Sequence, residues 1–173
     1  MTTVESYFTA DNRAPLSNFP RRRKTLQWPA RTNEALAEMK LAARALGRRE
    51  EASRMHIAGA LIAAIPPAAE RISGNLRAWR RDIWFAEPPI EEKQVGFTWE
   101  EPIFAKLALL DQSICDSGDR TNQAELTAFI VDTADLTTNG LRGLLAWYRH
   151  ATVADVYVGR TDSPATRLLP NAE

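Results

Sequence analysis

The sequence predicts an all-α protein: a single bundle of five or six helices, preceded by a basic N-terminal arm and followed by a loose C-terminal tail. Apolar residues recur at helical spacing in five separate segments, whereas the alternation of a half-buried strand is almost absent. The 173 residues are 45% hydrophobic, which suits one compact domain with a sizeable core. The expected boundaries are 1–30 for the arm and a short extended piece, 31–158 for the bundle, and 159–173 for a flexible tail.

Residues 1–24 show no period and end in Arg21, Arg22, Arg23 and Lys24, which read as a mobile basic arm. "KTLQWPAR" follows as an extended piece, since Pro29 disfavours helix in the residue before it. Thr32 stands where an N-cap would, and Leu36, Met39, Ala43 and Leu46 then share one helical face. Lys40, Arg44 and Arg48 form a stripe beside that face. Gly47 either closes the helix or is passed through on the way to Ile65. "MHIAGALIAAI" is nearly all apolar and should be buried, with Pro66 and Pro67 ending it.

A third helix is expected from about Ala68 to Ala86. Ile72, Leu76, Trp79 and Ile83 fall on one side of its wheel, and Arg77, Arg80, Arg81 and Trp84 on another. Trp79 therefore belongs to the core and Trp84 to the solvated face. Glu87 to Gly96 reads as an acidic loop, and "TWEE" at 98–101 as a capping box that starts a helix carrying Ile103, Leu107, Leu110 and Ile114. Gly118 offers a left-handed stop. A further helix after Thr121 turns Leu126, Phe129 and Ile130 inward, and another from Thr138 carries Leu141, Leu144, Leu145 and Tyr148. "VADVYVG" either extends that helix or forms a short strand. No internal repeat or low-complexity block is visible.

Catalytic signatures are absent: the chain has no phosphate-binding Gly-rich loop, no G-x-S-x-G elbow and no H-E-x-x-H pair. It contains two histidines, His56 and His150, and a single cysteine, Cys115, read as a buried thiol. No enzyme activity, cofactor or metal is expected. Asp132 and Asp135 lie one helical turn apart, which a solvated helix surface explains more simply than a cation site. No apolar run is long enough for a membrane span, and the N-terminus lacks a secretion signal, so the expectation is a cytoplasmic protein without a membrane partner.

The net charge of zero conceals an asymmetry. Residues 1–81 hold 15 Lys and Arg against 7 Asp and Glu, and residues 82–173 hold 7 against 15. Either one face meets an anionic partner and another meets protein, or the two halves neutralise each other. The first account makes Arg21, Arg22, Arg23, Lys24, Arg44, Arg48, Arg77, Arg80 and Arg81 candidates for contact with a nucleic-acid backbone. Trp84 is the candidate for stacking on a base. Glu91, Glu92, Glu100 and Glu101 are then candidates for a protein interface.

Three resemblances bear on function. "KTLQWPARTNEALAEMKLAARALGRREEASRMHIAGALIAAI" resembles the ribbon-helix-helix family: a short strand, a proline, a helix closing at a glycine, then an apolar helix. The resemblance implies a dimeric DNA-binding repressor or plasmid-maintenance protein, with Thr25 and Gln27 facing the major groove. After Gly47 the family's Ser or Thr cap is replaced by "RREE". The chain as a whole is similar in size, charge and helical form to the small subunits of CRISPR effector complexes, with "TTNGLRGLLAWYRHA" like their late Leu–Trp–basic helix. That similarity implies a non-catalytic subunit of a ribonucleoprotein assembly in antiviral defence, holding RNA or DNA on its basic helix faces, and it is the leading expectation. The spacing of Arg49 and His56 resembles that of helical ribonucleases of the HEPN type, a further alternative.

Overall fold

A computed structural model describes residues 6–67, 69–84, 92–134 and 137–160. Among them run two strands and seven α-helices: β1 (Arg21–Pro29), α1 (Ala30–Ala45), α2 (Arg54–Ala64), α3 (Ala69–Trp79), β2 (Glu92–Glu100), α4 (Glu101–Asp116), α5 (Gln123–Asp132), α6 (Thr138–Arg149) and α7 (Val153–Val158). Helix dominates, as the sequence predicts. The fold is nevertheless not all-α, because β1 and β2 pair antiparallel from Arg21 opposite Glu100 to Pro29 opposite Glu92.

That pairing corrects two expectations. The basic run Arg21 to Lys24 is the first half of a hydrogen-bonded strand, not a mobile arm. Residues just before it are also held: Phe8 and Leu16 are buried, and Val153 and Ala154 donate backbone hydrogen bonds to Ala14 and Asn12. In the same way "TWEE" is no capping box. Thr98 lies within β2, and α4 begins after Glu100 with Pro102 in its first turn and no side-chain cap. Period-two alternation was present there, since Phe97 and Trp99 point into the core between Gln94, Gly96 and Thr98.

The ribbon joins two similar units. Each strand runs directly into a 16-residue helix, α1 or α4, and each helix is followed by a glycine in the left-handed region, Gly47 (φ 77°) and Gly118 (φ 95°). A second helix follows, capped by Ser53 in α2 and Asn122 in α5. The two units are displaced by 71 residues along the chain, so that Arg21 answers to Glu92 and Gly47 to Gly118. Thr25 and Gly96 are each other's equivalents and also each other's partners across the ribbon, so an approximate two-fold axis passes between them. Packing follows the same exchange: α2 lies against β2 and α4, while α5 lies against β1 and α1. Buried positions correspond as well, Trp28 with Trp99, Leu36 with Leu107, and Ala43 with Ile114. In sequence the two units correspond only slightly. From the strands to the glycines only Trp28/Trp99, Leu36/Leu107, Ala37/Ala108 and Gly47/Gly118 are identical.

The core is centred on α2, whose residues Ile57 to Ala64 are all buried beneath α1, α4, α5, α6, α7 and β2. Trp28, Phe97 and Trp99 form an aromatic layer under the ribbon, with Phe97 4.7 Å from Trp28 and 4.8 Å from Trp99. Several caps differ from the expected ones. Thr32 is a buried first-turn residue behind the N-cap Pro29, and α2 is capped by Ser53, after a 3-10 turn at Arg49–Glu51. The third helix is α-helical only to Trp79 and continues as a π-helical turn from Arg80 to Trp84. "VADVYVG" is a helix because Thr152 and Asp155 form a capping box. Gly159 and Arg160, expected in a loose tail, are held where Arg160 donates its amide to the Ala64 carbonyl at 2.7 Å. Residues 161–173 lie outside the described residues.

Candidate nucleic-acid interface

A β-ribbon presents alternate side chains to opposite faces. Leu26, Trp28, Phe97 and Trp99 occupy the inner face and are buried. The outer face therefore carries Arg21, Arg23, Thr25 and Gln27 from β1 and Gln94, Gly96, Thr98 and Glu100 from β2. Arg23, Thr25, Gln27 and Gln94 are exposed, and Gly96 and Thr98 partly so. Pairing sorts them into two ends about the Thr25–Gly96 centre. Arg23 faces Thr98 and Arg21 faces Glu100 at one end, while Gln27 faces Gln94 at the other. The Arg23 guanidinium lies across Gly96, where a Cβ would be only 3.0 Å from its Nη2.

First turns of both second helices abut this ribbon. Trp99 Nε1 donates to the Met55 carbonyl of α2 at 2.7 Å, and the Lys24 amine reaches the Gln123 side chain of α5. Both starts are capped within the chain, Ser53 accepting from the His56 amide and Asn122 from the Glu125 amide.

The remaining basic candidates divide by their partners. Arg21 pairs with Glu100 at 3.0 Å, and Arg22 with Glu101. These two acids are therefore not grouped in a free acidic loop. Glu92 belongs to β2, and Glu91 lies outside the described residues. On α3, Arg77 pairs with Asp119 at 3.0 Å, and their hydrogen bond raises the arginine pKa and lowers that of the carboxyl. Arg80 is largely buried, bonded to the Glu125 carboxylate and the Arg120 carbonyl. Arg81 is exposed beside Asp82. Of the arginines on that wheel face, Arg77 and Arg80 thus pair with acids from the second half of the chain, and Arg81 stays exposed. The Trp84 side chain lies outside the described residues. Arg44 is exposed, and Arg48 lines an open cleft of about 520 Å³ with Arg49, Glu51 and Arg149. Arg149 is bonded to Glu51 there.

Trp79 is buried as expected, edge-on to Phe129, with Nε1 donating to the Asp132 carboxylate at 3.0 Å. Asp132 is not a solvated surface acid: its side chain is 2% exposed, and burial raises its pKa against the opposing pull of Thr32, Trp79 and Arg31. Asp135 lies outside the described residues. Cys115 is exposed, contrary to the expected buried thiol, because it points away from the face that buries Ile114. His56 sits in the first turn of α2 with its ring edge-on to Tyr148 at 5.0 Å, and burial lowers its pKa. Among the described residues no group of three or more His, Cys, Asp or Glu side chains is placed to hold a metal ion, and no helix is long and apolar enough to cross a membrane.

Thr25 and Gln27 were named from the sequence, but Gln94, Gly96 and Thr98 were not. Their signal was the alternation Val95, Phe97, Trp99. Compared with protein-family models, curated proteins and solved structures, the chain matches none.

Proposed function

We propose that the protein binds duplex DNA by seating the β1–β2 ribbon in the major groove, as ribbon-helix-helix dimers do, with both strands supplied by one chain. The observation that carries this reading is the ribbon itself: two strands with an aromatic inner face and an open polar outer face, bordered by the first turns of α2 and α5. A major groove about 12 Å wide admits a two-stranded ribbon, and arginine, glutamine and threonine are side chains that read base edges there. The strand–helix–helix unit occurs twice, which removes the need for a second chain to complete the ribbon. The assembly-subunit expectation draws on Arg44, Arg48, Arg77, Arg80 and Arg81, of which Arg77 and Arg80 pair with Asp119 and Glu125 while Arg81 stays exposed beside Asp82.

Fluorescence anisotropy with a random duplex pool, its denatured single strands and single-stranded RNA tests the proposal. Duplex should bind best, with protection of guanine N7 from methylation marking the major groove. Joint replacement of Arg23 and Gln27 by alanine should weaken duplex binding by about tenfold or more, since a good base contact contributes about 1–3 kcal/mol, in a protein that circular dichroism shows still to be folded. Tighter binding of single strands, undisturbed in the double variant, would refute it and favour the assembly-subunit role through Arg44 and Arg48.

A further inference from the structure

A symmetric dimer reads two identical half-sites, so its operator is a palindrome. Here the two strands sit about an approximate two-fold axis but carry different chemistry at every equivalent outward position. Arg23 answers to Gln94, Thr25 to Gly96, and Gln27 to Thr98. The two ends of the outer face differ accordingly. One end sets Arg23 against Thr98, beside the Arg21–Glu100 pair, and the other sets Gln27 against Gln94. At the centre, Thr25 faces a glycine that offers no side chain.

From this asymmetry we infer that the DNA site is non-palindromic and is bound by one chain in one fixed orientation. The inference rests on the duplex-DNA reading above. Arginine is suited to the paired acceptors of guanine and glutamine to the acceptor and donor of adenine, so the half-site under the Arg23 end carries guanine and the half-site under the Gln27–Gln94 end carries adenine. Duplication within one chain makes this possible, because each strand can change without changing its counterpart. A homodimer lacks that freedom.

The test selects bound sequences from a random duplex library with the full chain. It then measures stoichiometry by native mass spectrometry and affinity by anisotropy. The expected result is a 1:1 complex on a non-palindromic sequence. Two symmetrised duplexes, each repeating one half-site in inverted orientation, should bind about tenfold or more weakly than the selected site. Exchanging the equivalent side chains in a double variant, Arg23→Gln with Gln94→Arg, should move the guanine preference to the opposite end of the site. A purely structural role for these residues would not produce that change. Failure to bind any duplex would overturn the DNA reading and this inference together. A palindromic consensus occupied by two chains, or equal affinity for the symmetrised sites, would overturn the asymmetry alone and leave DNA binding standing.

Discussion

Replacing Gly96 with threonine should preserve or raise stability while weakening DNA binding. The position is interior to a strand, and its backbone lies outside the left-handed region. A Cβ there meets Arg23 Nη2 at 3.0 Å, Nε at 3.2 Å and Cζ at 3.4 Å. All three atoms belong to the far end of a flexible side chain, so it can swing aside without moving the backbone. Removing a strand-interior glycine contributes about 0.5–1 kcal/mol through the reduced entropy of the unfolded chain. A threonine opposite Thr25 adds about 0.2–1 kcal/mol as a cross-strand pair. The expected net is a gain of about 1 kcal/mol in urea unfolding. Displacing Arg23 from its place over the ribbon centre should meanwhile reduce duplex affinity by about tenfold, the lower part of the range for one lost base contact. Urea melts and anisotropy on the same preparation measure both. A loss of more than about 1 kcal/mol would contradict the Thr25–Gly96 register, because only backbone crowding or a bulge makes such a change costly. Unchanged affinity in a stable variant would remove the ribbon's outer face from the interface.

Arg80→Met should cost about 3–5 kcal/mol in thermal unfolding, because it strands the buried Glu125 carboxylate, whereas Arg81→Ala at the exposed surface should leave the melt unchanged. Equal melts would mean that the Arg80–Glu125 pair is not buried. Trp99→Phe should cost about 1 kcal/mol more than Trp28→Phe, since Trp99 donates to the Met55 carbonyl and the Trp28 Nε1 has no partner among the described residues. Reversal of that order in urea melts would contradict the hydrogen-bond assignment. Burial pushes the Lys106 amine down from 10.5 to about 7, even though it donates to the Val156 carbonyl at 2.6 Å. Between those pH values the unfolded chain holds the extra proton, so stability should rise with pH from 7 towards 10.5. Lys106→Met should flatten that rise in melts at pH 7 and pH 9.5, and an unchanged slope would show the amine to be solvated.

Much of the helical frame was legible because its signals are local. The apolar run from Ile57 to Ile65, the stop at Gly118, and the inward sets Leu126/Phe129/Ile130 and Leu141/Leu144/Leu145 each depend on residues within a few turns of one another. The burial of Trp79 was legible for the same reason. Cys115 was not, because its exposure turns on which side of α4 the neighbouring helices cover.

The sequence by itself determined a predominantly helical chain, the apolar α2 at its centre, and the unequal charge of its two halves. Only the tertiary structure decided that the basic run Arg21–Lys24 is a strand, that its partner begins 71 residues beyond it, and that the two units share an approximate axis. It also decided that Arg77 and Arg80 are matched by Asp119 and Glu125. The physical reason is range. A two-stranded ribbon is not stable alone, so the extended piece around Trp28 and the alternation Val95, Phe97, Trp99 do not by themselves fix a strand pair or its extent. Each becomes a strand only when the other, and the core beneath Trp28, Phe97 and Trp99, is in place.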